Sequence, residues 1–181
     1  VLEQQQLYIE FYTPKGVFTS SPVEICKRAV ATKINFFFPQ ISLEEAYEMS
    51  ETHSEYTKLN KIESVNELYE SDLEVGKILS FSNNIDLIAK LRDDIPLLTG
   101  ANATSSFPIN LEITDQQANK GAAIKQYVEK KGISLSEVMC IGDSFNDESM
   151  LREEFGVTFA MGNAHPKIIK SAKYITTSND D

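Results

Sequence analysis

The run VMCIG at residues 138–142 constrains the fold more than any other stretch of the chain. Five uncharged residues ending in glycine suit a strand buried on both faces, the condition of strands in a parallel sheet. The flanking segments fit that reading. NKGAAIKQYVEKKG (119–132) sets Ala123, Ile124, Tyr127 and Val128 at helical spacing and closes on Gly132. After the run, the pattern predicts a helix over roughly 148–155 stopped by Gly156, and a strand VTFAMG (157–162). A short helix from Pro166 to about Ala172 and a strand YITT (174–177) complete the series. Strands alternating with helices in this way read as βαβ units of a doubly wound sheet.

The preceding residues have a different rhythm. LYIEFY (7–12) reads as a strand, TPKG as a turn and VFTS as a second strand, which together make a hairpin. Ser42 stands before acidic residues as the N-cap of a helix. GKILSFSN (76–83) predicts a strand, and NIDLIAKLRDD (84–94) an amphipathic helix with Ile85, Ile88, Ala89 and Leu91 on one side. IPLLTG and FPINLEIT (107–114) read as further short strands, and the aromatics of NFFFP (35–39) as core packing ahead of pocket lining. The expected organisation is α/β: a mixed region over 1–115 and a parallel-sheet region over 116–181. VLEQQQ (1–6) reads as the tail of a helix, and the chain begins at Val1 without a methionine, so a fragment of a longer protein is expected.

Charge narrows the partners. With 17 Lys plus Arg against 27 Asp plus Glu, the net charge of −10 repels a phosphate backbone, and nucleic acid is not expected to bind. An anionic substrate would need a local feature, such as a metal ion or a lysine, to overcome that field. Two separated cysteines, Cys26 and Cys140, suggest reduced thiols and a cytoplasmic setting. No run approaches the roughly 18–20 apolar residues that span a bilayer.

Chemistry concentrates directly after VMCIG. In open parallel sheets, ligands bind beyond the carboxyl ends of the strands, and Asp143 is the first residue past that end. Asp143 and Asp147 offer hard oxygen ligands of the kind Mg²⁺ prefers, and Asn146 adds a neutral donor and acceptor. The same residues could equally cap a helix N-terminus. Lys120, beside Gly121 at the start of the helix before this strand, suits a phosphate site better than helix stability, which would favour an acid there. A solvated surface lysine is the other reading. His53 and His165 have no partner at metal-ligand spacing, and His165 before Pro166 suits a cap.

Taken in order, NKGAAI, VMCIGDSFNDESML and GVTFAMGNAHPKIIKSAKYITTSNDD closely resemble the C-terminal part of Cof-type phosphatases in the haloacid dehalogenase (HAD) superfamily. The resemblance implies that 116–181 is the C-terminal part of a Rossmann-like HAD core, and that 1–115 is an α/β cap. It also implies a Mg²⁺-dependent hydrolase of sugar phosphates or other small phosphorylated metabolites, working through an aspartyl-phosphate. On that template Lys120 meets phosphate and nucleophile, and Asp143 binds the metal directly. Asp147 holds the metal or its waters, and Asn146 contacts phosphate or orients the site. The chain departs from the family pattern in one respect: no Asp-x-Asp motif occurs in it, and Thr99 of IPLLTG only imitates the second motif. The expectation is that the N-terminal part of the same core lies upstream and that these residues alone do not turn over. The alternative is a noncatalytic, truncated binding or regulatory protein.

Overall fold

In the computed structural model, which describes residues 1–181, the hairpin forms as expected. β1 (Glu10–Thr13) and β2 (Gly16–Thr19) pair antiparallel with Phe11 opposite Phe18. Gly16 leaves the turn at φ 126°, which glycine adopts without steric cost. Then follow α1 (Val23–Phe37), α2 (Leu43–Ser50), α3 (Ser54–Thr57), β3 (Asn60–Lys61) and α4 (Asn66–Glu70). Next are β4 (Lys77–Phe81), α5 (Ile85–Thr99), β5 (Asn102–Thr104) and β6 (Asn110–Thr114). The six strands form one sheet in the order β3-β2-β1-β4-β6-β5. Tyr8 packs with Cys26, Ala29 and Leu79, whereas its neighbour Ile9 packs with Ile88, Leu91 and Leu111. Strand alternation thus gives each face of the sheet its own helix, α1 or α5.

Ser42 caps α2 as expected, in a reciprocal capping box: its hydroxyl accepts from the Glu45 amide at 3.2 Å, and the Glu45 carboxylate accepts from the Ser42 amide at 2.9 Å. Two other expectations fail in this part. IPLLTG is the last part of α5, because Ile95 continues the buried stripe of Ile88 and Leu91. Gly100, at φ 71°, then closes the helix with its amide on the Pro96 carbonyl. Leu97 and Leu98 are 85% and 68% exposed, so local apolarity imitated a strand that the core does not use. Phe36, Phe37 and Phe38 do not pack into the core; they are exposed where α1 runs past its buried face. Phe37 and Phe38 instead line, with Val30, Ile34 and His53, a cavity of about 330 Å³.

The remaining elements are α6 (Lys120–Lys131), β7 (Met139–Gly142), β8 (Val157–Ala160), α7 (Pro166–Ser171) and β9 (Tyr174–Ile175). β7, β8 and β9 form a parallel sheet in that order, as the alternation requires. Cys140, Leu151, Phe155, Ala160, Ala164 and Ile168 make its core. β7 is buried on one face only: Cys140 is 5% exposed, but Met139 and Ile141 are 61% and 46% exposed, because the packed cluster lies on a single side of the strand. The helix expected over 148–155 is also absent. A 3₁₀ helix runs over Phe145–Met150, started by a capping box between Ser144 and Asp147, and turns follow. Leu151 and Phe155 are nevertheless fully buried, so the four-residue apolar spacing survives on a different backbone.

His165 caps α7, its Nδ1 accepting from the Lys167 amide at 3.2 Å, and His53 caps α3 in the same way. Both cysteines are free and buried. No helix is long and apolar enough to cross a membrane. By contacts the chain divides into Val1–Ala103 with Pro108–Asp115, and Thr104–Phe107 with Gln116–Asp181.

Candidate functional site

Two glycines bring the site together. A Cβ on Gly142, the last residue of β7, would lie 2.4 Å from the Asp147 Cβ, so the loop after the strand folds back against a residue that must lack a side chain. A Cβ on Gly121, the second residue of α6, would lie 2.3 Å from the Ser149 carbonyl oxygen. The first turn of α6 and the 3₁₀ helix are therefore in backbone contact. Asn119 caps α6 by accepting from the Ala122 amide at 2.9 Å, and the Ser149 hydroxyl accepts from the Gly121 amide at 3.0 Å.

That contact delivers Lys120 to Asp147. The Lys120 Nζ lies 2.5 Å from Asp147 Oδ1, while Oδ2 accepts from the backbone amides of Asp143 and Ser144 at 3.0 and 3.2 Å. The Asp147 side chain is 6% exposed and that of Lys120 49%. Burial pushes the Asp147 carboxyl up. The hydrogen bond from Lys120, the two amides and the lysine charge outweigh it and hold the group below the usual carboxylate range. Both oxygens of Asp147 are thus committed to donors within the chain.

Asp143 contrasts with it. Its side chain is exposed at the carboxyl end of β7, and its carboxylate carries no hydrogen bond or ion pair. Asn146 donates from Nδ2 to the Ser106 hydroxyl at 2.9 Å, and its Oδ1 is buried with no partner. The Ser144 hydroxyl donates to the Ser106 carbonyl at 3.4 Å. The four residues singled out from the sequence accordingly lie on one loop and the helix start against it. No group of three or more His, Cys, Asp or Glu side chains gathers anywhere in the chain at metal-binding spacing. For a magnesium ion, the oxygen chemistry of Asp143 and the unpartnered Asn146 oxygen are suitable, but they form part of a ligand set only.

Sequence reasoning missed Ser149 and Ser106. Ser149 stands inside the stretch that attracted attention, two residues after Asp147, but a hydroxyl that caps a distant helix leaves no pattern. Ser106 is 40 positions from Asn146 and carries no signal at all.

A lysine and an aspartate are thus paired beside the end of a parallel strand, with a second aspartate left open next to them. Residues 1–181 match the family described as haloacid dehalogenase-like hydrolase, and the chain belongs to that family. It is 29% identical over 185 residues to Phosphatase YwpJ of Bacillus subtilis (strain 168), covering 99% of this chain and 64% of that protein. Over 76 residues it is 42% identical to 5-amino-6-(5-phospho-D-ribitylamino)uracil phosphatase YcsE of the same strain, covering 42% of this chain and 30% of that one. Its structure is similar to that of a haloacid dehalogenase-like hydrolase from B. subtilis, with a TM-score of 0.72 and 28% identity, over 99% of this chain and 63% of the other. The chain thus spans under two thirds of the length of these relatives.

Proposed function

We propose that this chain carries the phosphate-handling and metal-binding half of a magnesium-dependent phosphatase for small phosphorylated metabolites, sugar phosphates among them. The observation that carries the reading is the Lys120–Asp147 pair held at the carboxyl end of β7, next to the open Asp143 carboxylate. Phosphoryl transfer to a carboxylate brings two anions together, and a positioned cation is the direct remedy. The Lys120 ammonium, half exposed while anchored on Asp147, is available to a phosphate oxygen. Asp147 holds that lysine in place and, through the one lone pair left on Oδ1, would hold a water of a metal ion. Asp143 is the residue that would bind Mg²⁺ directly, and the bound ion would neutralise phosphate and nucleophile together. Asn146 would contact the phosphate or orient the loop.

The nucleophile in this reading is an aspartate supplied from outside these 181 residues, since no two aspartates here alternate as Asp-x-Asp. It forms an aspartyl-phosphate that water then hydrolyses. The partners are the substrate and the rest of the same core, and the buried free thiols fit a reducing, cytoplasmic setting. The test is phosphate release from p-nitrophenyl phosphate with MgCl₂, comparing the 181-residue chain with one extended upstream along its gene. The extended chain is expected to turn over and the short one not to. Turnover by the short chain would overturn the assignment of the nucleophile. Inactivity of both would favour a noncatalytic binding protein.

A further inference from the structure

We propose that Ser149 is a positioning residue for Lys120, fixing where the lysine ammonium meets a phosphate oxygen; the proposal rests on the phosphatase reading. Lys120 is held at both ends by one short element. The 3₁₀ helix Phe145–Met150 supplies Asp147, whose Oδ1 receives the ammonium at 2.5 Å, and Ser149, whose hydroxyl oxygen accepts from the Gly121 amide at 3.0 Å.

The second of these bonds acts on Lys120 although it is made to its neighbour. The Gly121 N–H lies in the same planar peptide unit as the Lys120 Cα, so a partner that fixes this N–H also fixes the plane from which the lysine side chain starts. Asn119, the N-cap of α6, spends its side-chain acceptor elsewhere, on the Ala122 amide at 2.9 Å. Ser149 takes the Gly121 amide from outside the helix and thereby ties the root of Lys120 to the element that holds its tip.

The two anchors are not interchangeable. A lysine stem is flexible, so Asp147 alone would keep the ammonium while the helix start moved beneath it. Backbone contact does not prevent that movement. Where a Cβ on Gly121 would lie 2.3 Å from the Ser149 carbonyl oxygen, α6 and the 3₁₀ helix already touch, but a steric contact opposes approach and not separation. The hydrogen bond opposes separation. Stabilisation of a transferring phosphoryl group depends on the charge being in place beforehand, so a restraint on the root of Lys120 bears on the chemical step.

Two measurements test this. In the 181-residue chain, NMR follows hydrogen exchange of the Gly121 amide and, by ¹³C relaxation, the order parameter of the Lys120 Cε. Two variants are compared with wild type: Ser149→Ala, and Ser149→Cys, which keeps the side chain's reach but offers only a weak acceptor. Each is expected to speed Gly121 exchange about tenfold, the weight of one ordinary hydrogen bond, and to lower the Lys120 order parameter. Lys125, on the same helix and paired with Glu154 at 2.7 Å, is expected to keep its order parameter. An unchanged Lys120 value, or an equal fall at Lys120 and Lys125, overturns the proposal. In the chain extended upstream, Ser149→Ala is expected to lower kcat for p-nitrophenyl phosphate with MgCl₂ about tenfold with KM within about twofold, as for an interaction made in the transition state. Made in the Lys120→Met background, the same substitution is expected to change kcat less than about twofold, because the group through which it acts is gone. A loss of the larger size in both backgrounds, or in neither, also overturns it. If the wild-type extended chain does not turn over, the phosphatase reading has failed, and the relaxation measurement still decides whether Ser149 holds Lys120.

Discussion

Asp147 divides its carboxylate between two tasks: Oδ1 holds the Lys120 ammonium at 2.5 Å, and Oδ2 holds the amides of Asp143 and Ser144. One buried side chain thereby fixes both the cation and the loop that carries Asp143. Truncation and neutralisation should therefore have different consequences.

Asp147→Ala leaves two partly buried amides without an acceptor, and a loss of about 1–3 kcal/mol is expected in urea unfolding. Lys120→Met should cost less, since it leaves both amides paired with Asp147 Oδ2 and the lysine itself is 49% exposed. A larger loss for Lys120→Met than for Asp147→Ala would contradict this division.

The depressed ionisation of Asp147 gives a pH dependence of definite sign. The folded chain keeps this carboxylate charged to lower pH than the unfolded chain does, so its contribution is full above the unfolded value, about 4. It is lost as pH falls from there through the folded value. The stability difference between wild type and Asp147→Asn, measured by denaturant unfolding, is expected to be constant at neutral pH and to narrow below about pH 4. A difference that widened in acid would refute the cause assigned to the shift.

The glycines separate steric contact from backbone strain. Gly121→Ala would put a Cβ 2.3 Å from the Ser149 carbonyl oxygen, so the helix must part from the 3₁₀ turn. A loss of about 1–3 kcal/mol and displaced amide resonances for Lys120 and Asp147 are expected. Gly100→Ala meets nothing within 4 Å and is strained only by φ 71°. It should cost about 1 kcal/mol and leave those resonances in place.

Much of this architecture is legible in the sequence where signals are local. The Ser42 cap, the Gly132 stop and the Pro166 helix start each follow from one or two residues, and the alternation after 119 suffices for a parallel sheet. Expectations failed where tertiary context decides. IPLLTG is as apolar as a strand but continues the stripe of α5, and NFFFP is exposed because α1 outruns the core. The contact of Lys120 with Asp147 could be anticipated only in outline, from the order of the segments. The hydroxyls of Ser106 and Ser149 leave no periodic trace, because a single long-range hydrogen bond imposes no pattern on its neighbours.

The central claim is that Asp143 and Lys120 serve phosphoryl transfer. Its most direct test is the steady-state, magnesium-dependent release of phosphate from p-nitrophenyl phosphate by the chain extended upstream, as wild type, Asp143→Asn and Lys120→Met. Each substitution is expected to lower kcat at least about 100-fold, the scale of removing one preorganised electrostatic group, while the fold persists by circular dichroism. Folded variants that retain wild-type turnover would contradict the account.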